Sequence, residues 1–231
     1  MLRENSTLKR EVKDILTADI VLSIAFTLAI LGGFFGFNSK FPYRFAYFFP
    51  IMLIVVTLSF VLHEMMHKFV AQHYGAIAGF RTSMNGLIIT LGSSFFGFLL
   101  GIPGATVIFA HNFTKKENGL VSLAGPLTNF VVFAAFLTLS VIIGNGMGTY
   151  IGTLLEYGMF ISILLAFFNM LPIMPLDGSK VLMWDKRVYI ATEGVIFVLL
   201  AITVGLALTF EYLFIMVMIA LLFSVFYRGI L

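Results

Sequence analysis

The feature that most constrains this chain is the pair His63 and His67, four residues apart inside a long apolar segment. In an α-helix, residues at i and i+4 lie on the same face, so both imidazoles can bind one metal ion. Glu64 directly follows the first histidine, where its carboxylate can act as a general base toward water activated at that metal. The pattern therefore predicts a catalytic metal site on a helix.

The residues before this motif indicate that the helix lies in a membrane. From Phe45 to Leu62 the only ionisable side chain is the Tyr47 phenol, and acidic or histidine residues within membrane segments are rare and usually functional. The chain is 60% hydrophobic and 11% charged, whereas a soluble domain is nearer half apolar and a quarter charged. These values predict a polytopic membrane protein in which no connecting segment holds a separate globular domain.

The charged and sulfur-containing residues narrow the possible partners and metals. The net charge of +3 comes from Lys and Arg in short loops, and we expect no nucleic-acid partner. The chain has no cysteine, which excludes disulfides and thiolate ligands. The remaining ligands, His, Asp and Glu, suit Zn²⁺ with an open position for water.

Six apolar runs are long enough to cross a bilayer. They are Ile20–Phe37, Phe45–Val70, Leu120–Ile143, Tyr150–Leu171, Val188–Phe210 and Tyr212–Tyr227. Between the second and third runs, Leu87–Ala110 is also uncharged but rich in glycine, and Gly86–Gly92 has the composition of a strand. We therefore expect an all-α polytopic membrane protein with six transmembrane helices and a short membrane-associated β or re-entrant segment between the second and third.

The positive charges support this arrangement. With six spans and a cytoplasmic N-terminus, twelve Lys and Arg residues lie inside, and only Lys40 and Arg44 lie outside. The inner set comprises Arg3, Lys9, Arg10, Lys13, Lys68, Arg81, Lys115, Lys116, Lys180, Lys186, Arg187 and Arg228. If Leu87–Ala110 crossed the membrane, five of these would move outside and Asp177 would lie on the opposite side from His63. The charge distribution predicts that both termini are cytoplasmic.

A third metal ligand is needed, because catalytic zinc usually has three protein ligands and water. Asp177 follows a proline-rich helix break on the same side as the histidines and is the first candidate, although an Asp-Gly turn is the alternative interpretation. Three other carboxylates are weaker candidates: Glu117, Glu156 and Glu193. Two further histidines are not expected to bind, since one points elsewhere on the helix and one adjoins a polar turn: His73 and His111.

The two motifs together resemble the site-2 protease family of intramembrane zinc metalloproteases. The matching residues are His63-Glu64-x-x-His67 and Asn169-x-x-Pro172-x-x-Pro175-x-Asp177-Gly178, while Ala124-Gly125-Pro126 with Asn129 is similar to the family's third motif. The resemblance runs from about Leu62 to Lys180. One departure is Ser179, where the family usually has a second glycine.

The resemblance implies zinc bound by His63, His67 and Asp177, with Glu64 as the catalytic base. It also suggests that Asn169, and with it Asn129, helps to hold the substrate or the developing oxyanion. We expect a single transmembrane protease domain over residues 1–231, with its core at about 45–187, similar to family members that lack a PDZ domain.

The implied function is regulated intramembrane proteolysis, with transmembrane-helix proteins as substrates and the lipid bilayer as surroundings. The protein would be a multi-pass cell-membrane protein with its active site near the cytoplasmic face. Two alternatives remain. One is a membrane metalloprotease that cuts at the surface and uses a Glu such as Glu193 as third ligand. The other is a metal-ion transporter, which would leave Glu64 without a catalytic task.

Overall fold

The computed structural model describes residues 2–99, 103–110, 112–144 and 148–228 of the chain. These residues are mostly helical, with one small antiparallel sheet. The helices are α1 (Leu2–Ile30), α2 (Phe41–Val56), α3 (Leu62–His73), α4 (Met84–Ser94), α5 (Lys115–Ile143), α6 (Tyr150–Asn169), α7 (Asp177–Trp184), α8 (Lys186–Val204) and α9 (Leu206–Arg228). The strands are β1 (Ile77–Thr82) and β2 (Gly104–Phe109).

Helices α2 and α3 form one continuous helix of 33 residues, joined by a π-helical turn at Thr57–Val61. Hydroxyl groups hold this turn on two sides. Thr57 Oγ1 donates to Asp19 Oδ2 of α1 at 2.7 Å, and the hydroxyls of Ser59 and Ser162 of α6 are 2.7 Å apart. The helix that carries the histidine motif is thereby tied to two neighbours just before the motif begins.

Within the described residues, four helices are long and apolar enough to cross a membrane. They are Phe41–His73, Lys115–Ile143, Tyr150–Asn169 and Lys186–Val204, and they correspond to the second to fifth predicted spans. The first predicted span is helical only to Ile30 and continues into a 3₁₀ turn at Gly33–Gly36, and the sixth lies in α9. The six-span arrangement therefore stays a prediction.

The segment between α3 and α5 contains both strands of the sheet, with α4 between them in the sequence. In the antiparallel pair, Ile77 lies opposite Phe109 and Thr82 lies opposite Gly104, so the connection between the strands starts and finishes at one place. Helix α4 packs along α1. Just after α4 ends, the Phe95 carbonyl accepts a 2.6 Å hydrogen bond from the Phe34 N–H. Leu87–Ala110 is therefore not one crossing helix, in agreement with the sequence prediction.

The predicted strand at Gly86–Gly92 was wrong, because these residues lie in α4. Ser83 caps this helix by accepting a hydrogen bond from the Gly86 N–H, and α4 packs along α1. Helix capping and helix packing outweigh the local β-propensity of the isoleucines. The two strands of this segment instead come before and after α4 in the sequence.

Helix α5 is central to the bundle and packs against α3, α6 and α7. It begins with a capping box between Thr114 and Glu117. The largest buried cluster joins α5 to α6, α7 and α8 through Leu123, Phe133, Ile163, Ala166, Phe167, Met170, Val181, Ile196 and Leu200. This packing places the histidines of α3 and the first residue of α7 against the same part of α5.

Candidate metal centre

The two motif histidines point into the bundle from one face of α3. His63 is 3% exposed and His67 is 7% exposed, and their Nε2 atoms lie 3.0 Å apart. Asp177, the first residue of α7, brings its Oδ2 to 3.0 Å from His67 Nε2 and 3.5 Å from His63 Nε2. The structure therefore brings together the three residues that the sequence predicted as ligands.

This donor set fits a zinc ion. Two zinc–ligand bonds of about 2.0–2.1 Å at the tetrahedral angle place their ligand atoms about 3.3 Å apart. The three donor atoms here are separated by 3.0, 3.0 and 3.5 Å. Two neutral imidazoles and one carboxylate leave a fourth tetrahedral position for water or substrate, as in catalytic zinc sites.

Gly125 of α5 forms the wall of this cluster. A Cβ atom at position 125 would lie 2.5 Å from His63 Nε2 and would also overlap His67 Nε2. Only a residue without a side chain lets α5 come this close to the two imidazoles. The motif Ala124-Gly125-Pro126 includes Gly125, but the sequence alone did not predict its close contact with the two imidazoles.

Neighbouring groups orient two of the three candidate ligands. His67 Nδ1 lies 2.7 Å from the Val121 carbonyl oxygen, and because a carbonyl can only accept, Nδ1 carries the proton. Lys180 Nζ lies 3.5 Å from Asp177 Oδ1, the oxygen directed away from the histidines.

The helix break after α6 positions Asp177. A Cβ at Gly178 would overlap the Met170 carbonyl oxygen and lie 2.7 Å from that of Leu171, so α7 begins in close contact with the end of α6. Ser179 Oγ donates to the Leu176 carbonyl at 2.7 Å and secures the first turn of α7. Asp177 is therefore the first residue of a helix, with its carboxylate beside the two histidines. It is not part of a simple Asp-Gly turn.

Glu64 lies beside the metal-binding cluster without belonging to it. Its Oε2 accepts a 2.8 Å hydrogen bond from the Thr106 N–H and a 2.9 Å hydrogen bond from the Thr106 hydroxyl of β2. Among the described residues no hydrogen bond engages Oε1. A half-buried carboxylate with one free oxygen is suited to accept a proton.

The two asparagines of the motifs occupy different surroundings. Asn169 is the last residue of α6, and its amide nitrogen donates to the Leu165 carbonyl at 3.0 Å. Asn129 lies one turn beyond Gly125 on α5 and is fully buried, with no hydrogen-bond partner for either amide atom among the described residues. Their suggested contact with substrate stays a prediction.

The weaker candidates for the third ligand do not join the cluster among the described residues. Glu117 is bound in the capping box of α5, and Glu193 is a half-buried residue of α8. Glu156 and His73 are likewise outside the cluster, and His111 lies outside the described residues. Asp177 is thus the carboxylate that the fold brings to the two histidines.

Lys68, next to the second histidine, was counted in the sequence only among the positive charges of the inner side. Its Nζ donates to both carboxylate oxygens of Glu11, at 2.7 and 2.8 Å, and Glu11 also accepts a 3.0 Å hydrogen bond from the Phe80 N–H. Glu11 is 6% exposed and the Lys68 side chain is 15% exposed, so this ion pair is largely buried. It connects α1, α3 and β1, which sequence patterns could not reveal because 57 residues separate the two charges.

Curated proteins similar to this chain are zinc metalloproteases by name. The chain is 43% identical over 143 residues to the candidate zinc metalloprotease MJ0611 of Methanocaldococcus jannaschii, covering 61% of this chain and 73% of that protein. It is 29% identical over 151 residues to the candidate zinc metalloprotease YwhC of Bacillus subtilis, covering 58% and 68%. It is 24% identical over 135 residues to the zinc metalloprotease MJ0392 of M. jannaschii, covering 58% and 34%. No family model and no solved structure matches the chain.

Proposed function

Because the chain belongs to the site-2 protease family of zinc metalloproteases, we propose that it cleaves peptide bonds inside transmembrane segments of other membrane proteins. In coarser terms, it is a membrane metalloprotease whose cofactor is zinc. The observation that carries the proposal is the location of the donor atoms. His63 and His67 lie on a 33-residue apolar helix that is long enough to span a membrane.

In the proposed mechanism His63, His67 and Asp177 hold the zinc. When bound, zinc polarises a carbonyl and lowers the pKa of water, which makes water a nucleophile at neutral pH. Glu64 takes a proton from the attacking water as the water oxygen adds to the carbonyl carbon of the scissile bond. Glu64 then donates this proton to the amine nitrogen as the C–N bond breaks.

We further propose that the Asn169 and Asn129 amides contribute to holding the substrate or its developing oxyanion. Of the two asparagines, Asn169 is nearer to Asp177 in the sequence, since it is the last residue of α6 and Asp177 is the first residue of α7. Asn129 supports the proposal through its position one turn from Gly125 and through its buried amide, which has no hydrogen-bond partner among the described residues. An oxyanion is stabilised by donors of this kind when they are held in place before the reaction starts.

The substrate must lose helical structure before it can be cut. In a transmembrane helix each interior carbonyl accepts a hydrogen bond from the N–H four residues later, which shields it from attack. Residues such as Gly, Pro and Asn lower the cost of unwinding. The strand β2 lies beside Glu64, and its outward backbone groups other than the Thr106 N–H offer an extended edge with which an unwound segment can align.

For the orientation in the cell membrane, we propose that both termini and the active site lie on or near the cytoplasmic side. The distribution of twelve positive charges against two supports this orientation. The antiparallel pairing of β1 with β2 also supports it, because the chain returns at β2 to the level at which it left β1. The protease domain is proposed to have its core at about 45–187.

The proposal is tested by incubating the purified protein with single-span peptides that differ only in Gly, Pro or Asn content near the expected site. Cleavage should require zinc and Glu64, should map within the apolar segment, and should increase with the number of helix-weakening residues. Cleavage confined to soluble loops would indicate a surface-cutting metalloprotease. Zinc flux in proteoliposomes without any cleavage would indicate a transporter.

A further inference from the structure

The outer edge of β2 faces the helix that carries the metal ligands. In an antiparallel pair, backbone groups alternate between those directed at the partner strand and those directed away from it. The opposed residues Phe80 and Thr106 are of the second kind, since Phe80 N–H donates to Glu11 and Thr106 N–H donates to Glu64. The small sheet is therefore held by a carboxylate at each edge.

Thr106 binds the Glu64 carboxylate with two donors at once. Its N–H and its hydroxyl lie 2.8 and 2.9 Å from the same oxygen, Oε2. The hydroxyl also lies 2.9 Å from the Glu64 carbonyl oxygen, so its single proton is shared between two acceptors of one residue. Both donors fix the glutamate relative to its own backbone and leave Oε1 as the open oxygen.

From this geometry we propose that Thr106 is the positioning residue of Glu64, and that it makes Oε1 the oxygen that receives the proton. The proposal rests on the proposed function, in which Glu64 is the general base. A glutamate side chain has three rotatable bonds. A glutamate beside a zinc site that nothing holds in place can therefore rotate into the position that the attacking water must occupy. Thr106 prevents this by holding Oε2 on the strand, and hydrogen bonds to an ionised carboxylate are strong enough to do so.

The first experiment measures the contact without any enzyme assay. Hydrogen exchange of the Thr106 amide is followed in the wild type, Glu64→Gln and Glu64→Ala, with the Val107 amide, directed toward β1, as internal control. Thr106 should be protected in the wild type and Glu64→Gln, whose amide oxygen still accepts, and should exchange at least about tenfold faster in Glu64→Ala. Equal exchange in all three proteins would overturn the proposal.

The second experiment separates positioning from strand packing. Thr106→Val keeps the backbone N–H, the side-chain shape and a high β-propensity, and it removes only the hydroxyl. We expect kcat to fall roughly ten- to a hundredfold with KM within about twofold and zinc content unchanged, and we expect Thr106→Ser to recover most of the lost kcat. The matched control is Thr138→Val on the exposed surface of α5, which should leave kcat unchanged.

The outcomes distinguish this proposal from the proposed function. Wild-type kcat in Thr106→Val, or failure of Thr106→Ser to recover activity, would overturn the positioning role while leaving the protease assignment intact. If the wild type cleaves no membrane segment, the proposed function fails. The exchange pattern then decides by itself whether Thr106 holds the Glu64 carboxylate.

Discussion

The Nδ1–H of His67 donates a 2.7 Å hydrogen bond to the carbonyl oxygen of Val121. This bond fixes the proton on Nδ1 and leaves the Nε2 lone pair directed at Asp177 and His63. Because the acceptor is a backbone carbonyl, the His67 imidazole is oriented by the position of the α5 backbone and not by the type of side chain at position 121. The metal centre is therefore built into the packing between α3 and α5.

We predict about one zinc per purified chain, with the metal lost when a proposed ligand is removed. His67→Ala and Asp177→Ala should each reduce zinc content severely, as measured by elemental mass spectrometry. Glu193→Ala is the matched control and should retain zinc, because Glu193 is not part of the cluster. Full zinc in Asp177→Ala together with loss in Glu193→Ala would reverse the ligand assignment.

Glu64→Gln should separate metal binding from catalysis. The amide keeps the size of the side chain and can still accept hydrogen bonds from Thr106, but it cannot take a proton from water. We expect a folded, zinc-loaded protein whose cleavage rate is at least about a hundredfold lower, measured with the peptide panel. Substantial residual cleavage would remove Glu64 from the role of general base.

Gly125→Ala should abolish zinc binding although it changes no ligand. The added methyl group would lie against both Nε2 atoms, where the metal must bind. Alanine is otherwise the better helix former by about 0.5–1 kcal/mol, so a loss of zinc cannot be ascribed to helix propensity. Gly194→Ala in α8, where a Cβ meets nothing within 4 Å, is the control and should bind zinc normally.

Removal of one charge from the buried Glu11–Lys68 pair should destabilise the fold. The side chains are 8% and 15% exposed, so Lys68→Met leaves a carboxylate uncompensated in the interior. We expect a loss of about 3–5 kcal/mol in the free energy of unfolding, measured by denaturant titration in detergent, with partial recovery in the double variant Glu11→Leu/Lys68→Met. Lys9→Met on the exposed face of α1 should change it by less than about 0.5 kcal/mol.

The proposed orientation predicts the sides from which single cysteines can be labelled. Since the chain contains no cysteine, one can be introduced at a time, at Asn118, at Ser179 or at Asn145, which lies outside the described residues. An impermeant thiol reagent should label the first two only from the cytoplasmic side and the third only from outside. External labelling at Asn118 would mean that residues 87–110 cross the membrane.

The candidate ligands were accessible from the sequence for two different reasons. His63 and His67 share a helix face by periodicity alone, and Asp177 was placed near them by counting spans and charges. The close approach of Gly125, the Val121 carbonyl and the Thr106 contact depend on packing between distant segments, and no periodicity encodes them. The strand prediction at Gly86–Gly92 was wrong for a related reason, since the helix there depends on its Ser83 cap and on α1.

The π-helical turn at Thr57–Val61 takes up one residue more than an α-helical turn does for about the same rotation. Each residue of an α-helix rotates the remainder of the helix by about 100°, so one added residue changes which side of the helix faces the bundle. Deletion of Leu58 with conversion of the turn to plain α-helix should therefore leave both histidines facing α5 and α7, whereas a plain α-helix that keeps every residue would turn them away by about 100°. The π turn thus sets the direction in which His63 and His67 face, although none of its residues belongs to the metal-binding cluster.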